Sequence, residues 1–331
     1  MNDAPTAGSP ALAIGIDVGG TKIALGIVRP GGTLGPSERI ENRDASGPED
    51  LLACLTDRTR QMAARAAEGA VAGVGVGLPE LVDLDGAVRS ATSIPWTRSV
   101  LLQAFAGIAP VVIDADVRAA ALAEACFGAG LGYRSFGFVT VGTGISSCLV
   151  LDGQPYRGAH GAAQLLGSAP VTVRCPHCGS SLRVALEDLA SGPAVAKRFA
   201  DRTGNPMGGA EELVAVADRG DSDAMEILAD SARALGSFLA LFVNLVDPDA
   251  IVVGGGLGSA GGAYWELVVR SARDHIWAQH VRTVPIVRAE LGAQAGVVGA
   301  GYMALRSLGL TAGGNQRHEA GLSGRRREGG L

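Results

Sequence analysis

Apolar and β-branched residues dominate positions 11–18 and 22–29, and the turn between them, Gly19-Gly20-Thr21, predicts two strands joined as a tight hairpin. A helix over about 48–68 follows from an Ala/Leu stripe at helical spacing. The run Val71-Ala-Gly-Val-Gly-Val-Gly-Leu-Pro79 reads as a buried strand ending in a loop. A strand at 110–113 leads into a helix over 117–127. Residues 136–153 then repeat the opening pattern of strand, Gly-rich turn and strand, around Gly142-Thr143-Gly144. Helices are predicted over about 182–202, 209–218 and 221–246. The strand 250–253 runs directly into Gly254-Gly255-Gly256-Leu257-Gly258.

Two hairpins about 120 residues apart, with a third glycine loop before a helix, suggest duplicated α/β halves that close around a nucleotide. The glycines Gly19 and Gly20 let main-chain N–H groups approach an anion, and Thr21 and Lys22 add a hydroxyl and a positive charge. Asp17, at the strand end, can hold a hydrated Mg²⁺. An ordinary glycine hairpin would explain Gly-Gly alone, but not the whole set. A dinucleotide-binding fingerprint requires G-x-G-x-x-G between the first strand and a helix; here Gly19-Gly20 is followed by Thr-Lys and a second strand.

Composition narrows the class. The chain has 331 residues, 47% of them hydrophobic, enough for about two domains with sizeable cores. A net charge of −5 offers no basic field for nucleic acid or an anionic membrane. The Arg325-Arg326-Arg327 triplet lies in a Gly-rich stretch expected to be disordered from about 311, as are residues 1–10. No basic leader precedes an apolar core, and no apolar run has the length to cross a bilayer, so a cytoplasmic protein is expected. Five cysteines, an odd number, argue for reduced thiols rather than a disulfide framework.

Six ordered segments, Asp17-Val-Gly-Gly-Thr-Lys22, Val74-Gly-Val-Gly-Leu-Pro79, Val139-Thr-Val-Gly-Thr-Gly144, Gly158-Ala-His-Gly-Ala-Ala163, Leu186-Glu-Asp-Leu-Ala-Ser-Gly192 and Asp247-Pro-Asp-Ala-Ile-Val-Val-Gly-Gly-Gly256, resemble the ROK family of sugar kinases and repressors. The likeness spans nearly the whole chain. It implies the actin-like ATPase (ribonuclease H-like) α/β fold, with two lobes around an ATP cleft. The expected division is 11–113 plus about 296–310 as the smaller lobe and 114–295 as the larger. A homodimer is implied. Repressors of this family carry an N-terminal DNA-reading domain, for which little chain precedes the first hairpin, so no nucleic-acid partner is expected.

The resemblance also implies roles. The helix Ala119-Ala-Ala-Leu-Ala-Glu124 sets the register that places Asp116 at the catalytic position, where a carboxylate accepts the proton of an attacking hydroxyl. Capping of the helix is the alternative role, and Asp114 competes for either. Asp17, Gly19, Gly20, Thr21, Lys22, Thr143, Gly144, Gly254, Gly255, Gly256 and Gly258 fall to ATP and its phosphates. Pro79, Glu80, Ala115, Asp116, His160, Leu165 and Glu187 fall to the acceptor.

Several acceptor positions depart from the family pattern. Ala115 stands where the family has an Asn, Leu165 where it has a sugar-binding Glu, and Ser168 where it has a His; Glu187 is kept. Three lost hydrogen bonds, at about 0.5–3 kcal/mol each, would weaken glucose in its usual pose by several kcal/mol. An acceptor with fewer hydroxyls is favoured, such as a C7-cyclitol or modified sugar, with an ordinary glucokinase or N-acetylhexosamine kinase and a non-catalytic sugar sensor as alternatives. The family's zinc motif is eroded. Cys175, His177 and Cys178 remain as candidate Zn²⁺ ligands, His160 could complete them, and a metal-free remnant loop is the preferred alternative. Trp96 resembles a loop residue that closes the sugar pocket, or else a core tryptophan.

Overall fold

The polypeptide, described here by a computed structural model over residues 11–66, 69–163, 165–174 and 178–311, divides into two units. The first comprises residues up to Tyr133, Asp152–Ala163 and the chain from Ala293 onward; the second comprises Arg134–Leu151 and Gln164–Gly292. The expected boundary at 113/114 therefore lies at 133/134 in the structure, because the helix after residue 115 packs backbone to backbone against the last helix of the first unit. The expectations for residues 1–10 and 312–331 fall outside the described residues.

The first unit contains β1 (Leu12–Val18), β2 (Lys22–Val28), β3 (Leu34–Glu41), α1 (Pro48–Ala64), β4 (Val71–Leu78), α2 (Arg98–Phe105), β5 (Val111–Ala115) and α3 (Asp116–Phe127). Its sheet has the order β3-β2-β1-β4-β5. β1 and β2 form the predicted hairpin, with Asp17 opposite Ala24, while β1, β4 and β5 run parallel. Every residue of β1 except Asp17 is buried, as expected of a strand covered on both faces. On one face Ile14 and Ile16 belong to a core with Leu55 of α1 and Phe105 of α2. The other face is covered by the last helix, which must come unusually close because glycines line the contact. A Cβ on Gly15 would lie 1.9 Å from Val297 O, and one on Gly75 would lie 1.8 Å from Ala300 O.

In the second unit, β6 (Ser135–Val141) and β7 (Ile145–Leu151) are the second predicted hairpin. After β8 (Gln154–Pro155), which is assigned to the first unit, the chain forms a β9 (Pro170–Arg174) and β10 (Ser181–Ala185) ribbon, then α4 (Glu187–Ala190), α5 (Gly192–Thr203), α6 (Ala210–Asp218) and α7 (Ser222–Val246). The helix expected over 182–202 is thus a strand, one helical turn and a separate helix. Leu182 is exposed on the ribbon, and Ser191 accepts a hydrogen bond from Ala194 N with Pro193 beside it, a start signal that splits the run. β11 (Ala250–Gly254) lies between β6 and β12 (Ile286–Arg288), parallel to both, with α8 (Gly262–His275) between β11 and β12 in sequence. Long α7 starts at an Asp221 cap and buries Leu235, Leu239 and Phe242 in the core of this unit. The last helix, α9 (Ala295–Ser307), returns to the first unit. Among the described residues, no helix is long and apolar enough to cross a membrane.

Candidate functional site

The chemistry of the first unit gathers at the carboxyl ends of its three parallel strands. Asp17 of β1 is in register with Gly77 of β4, which is in turn in register with Asp114 of β5. Gly77 matters here for its lack of a side chain: a Cβ would sit 3.2 Å from Asp116 Cα. Asp116 opens α3, and its Oδ1 accepts from the following amide, Val117 N, at 2.6 Å. No other hydrogen bond to this carboxylate exists among the described residues. Burial, and then the neighbouring Asp17 carboxylate, push Asp116 up to about 7, against the Val117 amide and Arg118, which favour its charge. Such a value suits a group that must both take up and release a proton near neutrality.

Asp114, the rival for that role, is otherwise engaged. It is buried, its Oδ1 accepts from Ala115 N at 2.8 Å and Arg118 Nε at 2.6 Å, and its Oδ2 accepts from Arg157 Nη2. Two guanidinium groups and a backbone amide occupy both of its oxygens. Glu80 is likewise committed. Oε2 takes the Ser90 hydroxyl and Thr92 N, while Oε1 takes Ser93 N and Ile94 N. Burial alone would raise this carboxyl, but the four donors outweigh it and hold it below the usual range. Glu80, expected on the acceptor side, therefore fastens the 90–94 loop. Pro79 precedes it, half-buried, and His160 is exposed.

The first hairpin is closed by Gly19 N donating to Lys22 O at 2.9 Å, which leaves Gly20, Thr21 and Lys22 exposed. Nothing lies within 4 Å of where a Gly20 Cβ would be. Asn42 supports this tip, donating through Nδ2 to Gly19 O and through its amide to Thr21 O, both at 2.9 Å. Its Oδ1 is buried without a hydrogen-bond partner among the described residues. Asp17 is half-buried, and burial pushes it up to about 6 despite the opposing charge of Lys22. A carboxylate short of positive charge beside an open, donor-bearing tip fits a hydrated divalent cation and phosphate oxygens. Gly296 of α9 completes the pocket around Asp17, since a Cβ there would fall 2.3 Å from Asp17 Oδ2. Gly296→Ala is accordingly expected to turn the Asp17 carboxylate aside, lowering kcat about tenfold or more with little loss of Tm; kinetics beside a melting curve checks it.

In the second unit the repeat of this hairpin meets the glycine loop after β11. Gly142 N donates to Gly144 O at 2.9 Å, and Thr143 is exposed at the tip. Gly258 N and Gly192 N donate to Val141 O and Gly142 O at 3.0 and 2.8 Å. Gly255 has φ +83, and a Cβ there would lie 2.5 Å from Val141 O, so only glycine allows the loop this approach. Gly254 and Gly256 flank it, and a Cβ on Gly258 would lie 2.0 Å from Gly254 O. Glu187 opens α4 beside the tip, its Oε2 accepting from Ile145 N at 3.4 Å and standing 3.1 Å from where a Gly144 Cβ would be.

Ala115 is buried at the end of β5, while Leu165 and Ser168 are exposed. Trp96 is a core residue, 3% exposed, its indole N–H donating to Pro48 O at 3.0 Å. Cys175 and His177, two of the three zinc candidates, lie outside the described residues; Cys178 is exposed, with Sγ 3.0 Å from Ser180 Oγ. Sequence reading missed Asn42, Gly296, Arg118 and Arg157 as parts of the site. Arg118 carried one local signal, a cation in the first turn of a helix, where the macrodipole opposes it.

A family model described as the ROK family matches residues 13–307. A glucokinase from Streptomyces coelicolor is 31% identical over 320 residues, covering 88% of this chain and 97% of its own. Among solved structures, a ROK hexokinase from Thermus thermophilus superposes with a TM-score of 0.74 at 32% identity, over 90% of this chain and 99% of the other. A ROK family glucokinase from Streptomyces griseus, in complex with glucose and AMPPNP, gives 0.75 at 29% identity, over 89% and 100%. The fold is the actin-like ATPase fold of these proteins.

Proposed function

We propose that this chain, which belongs to the ROK family, is an ATP-dependent carbohydrate kinase that transfers phosphate to a hydroxyl of a sugar-like acceptor. One observation carries the reading above the others: Asp116, whose carboxylate accepts only the Val117 amide among the described residues, is pushed up to about 7 beside an open Asp17-to-Lys22 hairpin. Asp116 takes the proton as the acceptor hydroxyl attacks the γ-phosphorus; the new O–P bond forms as the bond to ADP breaks, and the proton later passes to water. Thr21, Lys22 and the amides of the hairpin tip hold phosphate oxygens. Mg²⁺ held through Asp17 supplies charge neutralisation on the phosphates. Thr143, Gly144 and the loop 254–258 take the remaining part of the nucleotide, with the glycines packing against adenosine.

The acceptor proposed is a C7-cyclitol or modified sugar with fewer hydroxyls than glucose. What supports it is a buried methyl at Ala115 and an exposed leucine, 51% accessible, at Leu165, where amide and carboxylate contacts would otherwise serve hydroxyls. Glu187 remains to hold one hydroxyl. ADP release from Mg-ATP, measured against hexoses, N-acetylhexosamines and C7-cyclitols, tests this: cyclitol kcat/KM at least about tenfold above glucose is expected. Glucose or an N-acetylhexosamine as the preferred acceptor would overturn the cyclitol proposal and leave the kinase intact. Nucleotide binding with no turnover on any acceptor would favour a sensor.

A further inference from the structure

Arg118 is an expensive residue to place where it is. It is 6% exposed, in the first turn of α3, where a positive charge opposes the helix dipole. Its guanidinium arms reach out of the helix. Nε goes to Asp114 Oδ1, Nη1 donates to Gly161 O at 2.8 Å, and Nη2 donates to Val82 O at 2.5 Å. Arg157 approaches the same carboxylate from the loop after β8, and its Nη1 donates to Leu84 O at 3.4 Å. One buried Asp114 therefore gathers two guanidinium groups, and their spare N–H donors hold backbone carbonyls of two loops, 81–89 and 157–163. These loops also touch directly: Gly161, at φ +73, would place a Cβ 2.5 Å from both Asp83 Cα and Val82 O.

We propose that Asp114, Arg118 and Arg157 form a clamp that locks the 81–89 and 157–163 loops to the strand end bearing Asp116, with Arg118 as a positioning residue that sets acceptor affinity. The inference rests on the kinase reading. The clamp lies beside the base and the loops continue the segments holding Pro79, Glu80 and His160, whereas the nucleotide hairpins receive none of its arms. A hydrophobic side chain would fill the same space at less electrostatic cost, but it could not hold two carbonyls in register. A slackened clamp therefore changes where the acceptor stands, not how phosphate is held.

Arg118→Lys keeps the charge and loses the fork. The half-buried Arg157→Lys is the second variant, should the first fail to fold. Amide hydrogen–deuterium exchange on the full chain is expected to quicken about tenfold in both loops, with the β1–β2 hairpin unchanged. With the best acceptor of the panel, acceptor KM should rise about tenfold while ATP KM and saturated kcat stay within about twofold. Unaltered exchange in both loops would overturn the clamp. Faster exchange with unmoved acceptor KM, or a fall in kcat alone, would overturn its positioning role. Failure of the kinase reading shows separately, as absence of turnover by the wild type on every acceptor, and the exchange arm then still decides the clamp.

Discussion

Asp116→Asn is expected to lower kcat by about 10²–10⁴ while nucleotide affinity stays within about twofold, because the amide keeps the shape and the Val117 contact but cannot accept a proton. It should also make the protein more stable at pH 8. Burial and Asp17 raise the folded carboxyl to about 7 from an ordinary 3.8. Between these values the folded state holds a proton that the unfolded chain has released, so the group's stabilising share is complete below about pH 4 and is lost as pH rises to about 7. Asp17, raised to about 6, acts in the same direction. Removing one of two mutually repelling carboxylates is worth about 1–2 kcal/mol, discounted for the half-exposed setting, or about 2–6 °C in Tm. The gain should vanish at pH 4. In the wild type, kcat/KM for the acceptor should fall as pH drops through about 7. Melting curves at both pH values beside kinetics check these outcomes; unchanged kcat in the variant would remove Asp116 from the reaction.

Gly75→Ala is expected to be among the most damaging small substitutions in the first unit. The added methyl would stand 1.8 Å from Ala300 O and 2.4 Å from its carbonyl carbon, and these are backbone atoms that cannot rotate aside. α9 would have to move as a body, yet it is also seated on α3, where a Gly299 Cβ would lie 1.8 Å from Ala119 O. Overpacking usually costs about 1–3 kcal/mol, and a clash with fixed backbone belongs at or above the top of that range. A Tm lower by about 6–12 °C, or failure to accumulate folded protein, is the expected outcome. Because α9 also carries Gly296 against Asp17, residual protein should turn over more slowly. Gly107→Ala, whose methyl would meet nothing within 4 Å, is the control and should shift stability by less than about 0.5 kcal/mol.

The hairpins were legible because their signal is local. In β1 and β6 the run of buried residues ends at a glycine turn, and the same residues that make the strand make the turn. β11 and its glycine loop were legible for the same reason. The edge strand β3, with exposed Pro36 and Ser37, showed no apolar alternation, and α9 was not anticipated as a helix. α9 carries Gly296, Gly299 and Gly301, poor helix formers whose value lies in the sheet and helix they touch. In 182–202, an apolar pattern compatible with a helix was overridden by pairing of β10 with β9.

The residue order of this chain was enough to specify its family, its two hairpins with glycine turns and the place of Asp116 at the start of α3, since each rests on side chains and backbone freedom within a few consecutive positions. It could not apportion the carboxylates. Asp17, Glu80, Asp114 and Asp116 all stand at strand ends, and which of them is tied to guanidinium groups, which is fastened by loop amides and which keeps its basicity depends on Arg157, Ser90 and Thr92, partners distant in sequence. Electrostatic role follows from neighbours in space, and only the folded packing of α3, α9 and the two clamped loops supplies those neighbours.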